Sequence, residues 1–130
     1  MPQWHEQRFH EDYRRRGLYD IVPGLPGDMN FTHMNAGIIS GLHMHKTQTD
    51  YFAVAQGSIM VRLVYDDGRP EEKFVLSEHT HKTLVIPPGV WHGYKSLEPS
   101  ILVFYITQKF NTNDEHRRDT KPEEWEIEIR

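Results

Sequence analysis

The chain contains no cysteine, so disulfides and thiolate chemistry are excluded from the outset. It also lacks a long apolar run. The longest, such as ILVFYI at 101–106, fall far short of the about 20 residues that a membrane-spanning helix needs, and a membrane is not among the expected partners. The start, MPQWHEQRFHEDYRRRG, has no apolar stretch of the kind that opens a secretory signal, and a cytoplasmic location is expected. Nor is there an excess of one charge: 15 Lys and Arg face 19 Asp and Glu, scattered along the chain, for a formal charge of −4. Without a basic stripe, nucleic acid is not an expected partner. Tandem repeats and low-complexity segments are missing as well. What the chain does have is nine dispersed histidines in 130 residues. That length suits one domain with one core.

Residues 3–16 are polar with scattered aromatics and reach Gly17 without a Pro or Gly, which predicts a short surface helix or a frayed arm. IVPGLPGD (21–28) then enforces turns. Beyond it lie short runs rich in Val, Ile, Phe and Tyr: FTHMNAGIIS (31–40), DYFAVA (50–55), SIMVRLVY (58–65), KFVLS (73–77), TLVIP (83–87), VWHGYKSL (90–97) and SILVFYIT (100–107). Turn residues such as QG, DDGRP and PPG separate them, and about seven strands so spaced predict an antiparallel sandwich or barrel. Residues 111–124 are charged and loop-like, and WEIEIR (125–130) alternates like a half-exposed edge strand. The expected division is an N-terminal arm over 1–28 and a β-barrel domain over 29–130.

If residues 42–46 are extended, His43 and His45 project from one face, because side chains alternate with period two. Asp50 shares its parity with Phe52 and Val54, and His92 follows a Pro-Pro-Gly turn. Three imidazoles and a carboxylate can converge there, a set that suits Zn, Fe, Ni or Mn. Blander readings stand beside this one. Asp50 can cap a turn, the tyrosine of ILVFYIT can be a core residue, and Trp91 can fill the core or stack on a base or sugar. His79 and His81 sit among polar residues between strands and read as loop histidines, and His116, Arg117 and Arg118 read as a solvated loop or a basic cluster for a pyrophosphate.

The spacing Gly37, His43, His45, Asp50, Gly57 resembles the first motif of the cupin superfamily, and Pro87, Gly89, His92 resembles the second. The resemblance implies an all-β fold, the cupin double-stranded β-helix or jelly-roll barrel, with a short N-terminal arm or helix. GLHMHKTQTDYFAVAQG, LVIPPGVWHGY and FYITQKFNTNDEHRRD are further similar to the dTDP-4-dehydrorhamnose 3,5-epimerase family, whose tyrosine thirteen residues after the second-motif histidine matches Tyr105.

That likeness implies an epimerase of a nucleotide-linked 4-keto-6-deoxy sugar that requires no cofactor. His43 is the expected base and Tyr105 the acid on the opposite face of the ring, with Gln48, His92 and Arg16 binding substrate; Trp91, read from its own position beside His92, is added as a stacking surface. The family's active-site lysine falls on Asp50, and the carboxylate that orients its histidine belongs to a C-terminal region this chain is expected to lack, leaving that role to Asp50. The alternatives are a metal-dependent cupin enzyme with a divalent ion on His43, His45, Asp50 and His92, and a sugar-binding module without catalysis. Cupins of this kind commonly form homodimers, which is the expected assembly.

Overall fold

The computed structural model describes residues 1–126. Its strands are β1 (Arg8–Glu11), β2 (Arg15–Tyr19), β3 (Asp28–Met34), β4 (Ile39–Met44), β5 (Asp50–Gln56), β6 (Ser58–Val64), β7 (Glu72–Ser77), β8 (Leu84–Ile86), β9 (Trp91–Ser96), β10 (Ser100–Ile106) and β11 (His116–Arg117). Two antiparallel sheets result, ordered β1-β2-β3-β10-β5-β8 and β11-β4-β9-β6-β7. They face each other over a core that includes Phe52, Ile59, Val61, Leu63, Ile86, Leu102 and Tyr94. Burying each such side chain stabilises the fold by about 1.5–3 kcal/mol. Among the described residues no helix is long and apolar enough to cross a membrane.

Alternation explains most of these strands. In β3, Asp28, Asn30, Thr32 and Met34 are buried while Met29, Phe31 and His33 are half-buried. Strand β6 departs from the pattern and is buried at five consecutive positions, because both its faces are covered. Ile59, Val61 and Leu63 enter the main core, whereas Met60 joins Leu42 and Trp125 in a second cluster.

Three segments differ from the sequence-based expectation. Residues 8–19 form a hairpin, β1 against β2, and β2 pairs with β3, so the predicted helix gives way to sheet. The 1–28 segment thereby extends the first sheet. FTHMNAGIIS is two strands, since Asn35 to Ile38 turn the chain from one sheet into the other. Trp125 closes a 3-10 turn over Pro122–Trp125 rather than opening a strand, and the rest of the predicted WEIEIR strand, from 127 on, lies outside the described residues.

The strands that carry His43 and His92 press together at Gly41 and Gly93. A Cβ on Gly93 would lie 2.7 Å from the Trp125 ring and 3.1 Å from Gly41 Cα. Glycine at 93 therefore lets β4 and Trp125 both press on β9. The β4–β9 register slips between Ser40 and His43 and resumes with His43 opposite His92.

Candidate active site

A cavity of about 890 Å³ opens between the sheets. His43 and His92 enter it from the five-stranded sheet, and Asp50 and Phe52 from the six-stranded one.

Four of the predicted residues converge closely. His92 Nε2 lies 3.1 Å from Asp50 Oδ2, and His45 Nε2 lies 3.7 Å from the same oxygen. Gln48 Nε2 donates to Asp50 Oδ1 at 2.6 Å. The remaining ring nitrogens face main-chain carbonyls: His92 Nδ1 at 3.0 Å from Val90 O and His45 Nδ1 at 2.9 Å from Asp114 O. A carbonyl can only accept, so Nδ1 of each ring carries a proton. With Nδ1 turned to a carbonyl, the short His92–Asp50 contact calls for a proton or a metal ion between Nε2 and the carboxylate. Burial works to raise the Asp50 carboxyl, but His92, Gln48 and His45 outweigh it and hold the group below the ordinary carboxylate range.

Donor atoms of His45, Asp50 and His92 lie within 4.8 Å of one another. With Nδ1 of both rings held by carbonyls, both Nε2 atoms face the carboxylate, an arrangement that fits a divalent ion. His43, the fourth predicted ligand, stands outside this group.

His43 is instead approached by a carboxylate the sequence reading missed. Its Nδ1 lies 3.4 Å from Glu115 Oε1, so Asp50, committed to His92, does not take the orienting role expected of it. Glu115 follows a 3-10 turn at Thr112–Asp114 that is clamped to the histidine loop. Asp114 accepts from Lys46 N at 2.8 Å, Thr47 N at 3.2 Å and Thr47 Oγ1 at 2.8 Å. Next, β11 pairs with β4, setting Arg117 opposite His43. This strap continues to Trp125 in the second cluster.

Burial is the largest influence on His43 and lowers its pKa from 6.5 to about 4; Glu115 opposes the shift, while His92, Arg117 and His45 add to it. The imidazole is thus neutral through the physiological range and able to accept a proton. Since the folded value lies below the unfolded one, the unfolded chain takes up the proton first as pH falls. The stabilising contribution is complete above about pH 6.5 and is lost progressively toward about pH 4. Urea midpoints should therefore decline more steeply over that window in wild type than in His43→Gln, and parallel curves would contradict the shift.

Three other predicted residues point elsewhere. Tyr105 lies on the face of β10 opposite Phe104 and Leu102; its hydroxyl accepts from Gly27 N at 3.1 Å and its ring packs beside Tyr51, outside the cavity. It is not placed to protonate anything bound there. Trp91, one residue out of phase with His92, donates to Asp66 at 2.9 Å beneath the Arg118 guanidinium. Arg16 sits beside His33 at 3.4 Å on the other side of β2, while its neighbours Arg14 and Arg15 line the cavity. Arg8, Arg117 and Arg118 line it too. Period-two parity with Gly17 and Tyr19 was the signal that distinguishes Arg15 from Arg16.

Two facing antiparallel sheets of this order, with paired histidine motifs opening on the space between them, make this a cupin of the RmlC-like type. Solved structures share the fold. The capsular polysaccharide assembling protein CapF of Staphylococcus aureus superposes with a TM-score of 0.79 at 19% identity over 90% of this chain and 33% of its own. QdtA, a sugar 3,4-ketoisomerase from Thermoanaerobacterium thermosaccharolyticum, gives 0.62 at 23% over 69% of this chain and 65% of its own. The sequence fixes the relationship more narrowly: the chain belongs to the dTDP-4-dehydrorhamnose 3,5-epimerase family, whose model it matches over residues 4–130. It is 32% identical over 106 residues to the probable low-salt glycan biosynthesis epimerase Agl13 of Haloferax volcanii, covering 74% of this chain and 65% of that one. With the spore coat polysaccharide biosynthesis protein SpsL of Bacillus subtilis it shares 25% over 100 residues, 70% of this chain and 66% of that one. The chain thus spans about two thirds of the length of these relatives.

Proposed function

We propose that the chain is an epimerase or isomerase of a nucleotide-linked 4-keto-6-deoxy sugar and that His43 is its base. The observation that carries this reading is the His43 imidazole on the cavity wall with the Glu115 carboxylate 3.4 Å from its Nδ1. A hydrogen on the carbon beside a ketone is weakly acidic, so removing it needs a positioned base and cationic or hydrogen-bonding support for the enolate. Glu115 stabilises the imidazolium formed when His43 takes that proton. Asp50 is turned away from this role, its two oxygens being held by Gln48 and His92. Arg15 supplies fixed positive charge within the cavity, and the other lining arginines suit the diphosphate of a sugar nucleotide.

The test is incubation with dTDP-4-keto-6-deoxyglucose and related keto-sugars in D2O. Deuterium at carbon 3 or 5 is expected, and its absence across the panel would sink the reading. A homodimer is also proposed, with β1 as the contact because it is the outer strand of its sheet and exposed at all four positions. Sedimentation at micromolar concentration should show twice the chain mass; a monomer would refute it.

The second reading is a metal-dependent cupin enzyme, favoured by the donor set of His45, Asp50 and His92. An ion held there would supply Lewis-acid polarisation of a keto oxygen. Under this reading untagged protein carries close to one equivalent of Zn, Fe, Ni or Mn, and His92→Ala carries none. Metal-free wild type with full activity in chelator would rule this reading out.

A further inference from the structure

We propose that Tyr19 is the proton donor on the face of the sugar opposite His43, a role that rests on the epimerase reading above. Inversion at carbon needs an acid on the wall facing the base. His43 stands on β4 of the five-stranded sheet, so that wall is the six-stranded sheet. There β10 offers only Leu102, Phe104 and Ile106 to the cavity, and none of these carries a proton to give. Asn30 is an amide, Asp50 is engaged with His92, and His10 is exposed and tied to Asp12 at 3.1 Å.

Tyr19, on β2, lines the same cavity. Its ring meets Phe104 edge-on at 6.3 Å, and the Arg8 guanidinium stands 5.3 Å from its centroid. Among the described residues its hydroxyl makes no hydrogen bond, so it is free to turn to a ligand. The ring is folded back along its own strand over Gly17, where any Cβ would collide with the phenol. RRGLY therefore reads as a built seat: glycine clears the space that the tyrosine occupies. That fold-back turns the phenol back along β2 in the direction of Arg15, whose Nη1 donates to the Tyr94 hydroxyl at 3.3 Å. Burial holds the Tyr19 phenol above its ordinary range, with Arg15 and Arg8 opposing the rise. Both cations would stabilise the phenolate left after donation.

The step balances. The carbon–hydrogen bond breaks to His43, giving an enolate and an imidazolium; the Tyr19 O–H breaks and its proton forms the new carbon–hydrogen bond from the other side. The imidazolium then releases its proton to solvent and the phenolate takes one up, restoring both groups.

The experiment follows carbon-bound deuterium and product stereochemistry together, in D2O, with wild type, Tyr19→Phe and Tyr105→Phe on the same keto-sugar panel. In Tyr19→Phe, inversion is expected to fall about 10²–10⁴-fold, while exchange, which needs only His43, stays within about threefold. Tyr105→Phe is expected to keep both. Inversion at the wild-type rate in Tyr19→Phe overturns the proposal, as does loss of inversion in Tyr105→Phe. Loss of exchange together with inversion in a Tyr19→Phe protein that still melts like wild type also overturns it, by making the residue a substrate contact. If wild type itself neither exchanges nor inverts, the epimerase reading fails first and takes this role with it. Incorporating 3,5-difluorotyrosine at 19 gives an independent readout: the alkaline limit of inversion should move to lower pH with the more acidic phenol. An unmoved limit counts against donation.

Discussion

His43→Ala is expected to lower kcat by about 10²–10⁴-fold, the range contributed by a positioned general base, without a matching loss of stability. The two effects separate because His43 is a poor structural residue. Its Nδ1 is buried without a hydrogen-bond partner and meets Glu115 only at 3.4 Å. A buried polar atom left unpaired destabilises a fold, so removing the ring exchanges a small packing loss for relief of that cost. Glu115→Gln should fall between wild type and the alanine variant, about tenfold down, because the amide keeps the shape but withdraws the charge that opposes desolvation of the imidazolium. The checks are single-turnover kinetics on a keto-sugar and a melting curve for each variant. Deuterium exchange at the wild-type rate in His43→Ala would remove this residue from the mechanism.

The second large effect is structural. Trp125→Ala should destabilise the fold by about 3–5 kcal/mol, the usual cost of emptying a buried Trp site, and lower the melting temperature by about 10 °C or more. Trp125 is 1% exposed and packs with Leu42 and Met60 on the outer side of the five-stranded sheet. It also roofs Arg62, whose guanidinium lies 4.8 Å from the ring. Arg62 is itself buried, paired with Glu71 and within 3.7 Å of Glu124, so losing the indole lets water reach an arrangement built without it. Activity should drop beyond what the residual folded fraction explains, because Trp125 anchors the strap that delivers Glu115. Trp125→Phe should restore most of the stability. A urea-derived loss below about 1 kcal/mol for the alanine variant would show that the strap is held from elsewhere.

Much of this architecture was legible in the chain. Runs such as SIMVRLVY and VWHGYKSL became β6 and β9 because β-branched and aromatic residues suit a pleated, largely buried surface. The convergence of His45, Asp50 and His92 followed from parity and motif spacing. The failures have physical causes. SILVFYI is apolar on both faces, so alternation could not say whether Phe104 or Tyr105 turns inward; the pairing of Phe104 with Phe52 and of Tyr105 with Tyr51 decides it. Trp91 was decidable, since adjacent residues in a strand cannot share a face with each other. Glu115 was hidden in a charged stretch without periodicity, where its position depends on Asp114 capping a loop 67 residues away in sequence. The hairpin over 8–19 was missed because its strands are mostly polar, and β1 is fully exposed.

The site joins parts of the chain that are remote in sequence: 42 residues separate His92 from Asp50, 69 separate His45 from Asp114, and 79 separate Arg15 from Tyr94. Proteins dominated by such non-local pairings fold in milliseconds to seconds, because loop-closure entropy is lost before the contacts that repay it have formed. A cavity assembled from such pairings is expected to close late in folding, as the strap that pairs with β4 docks.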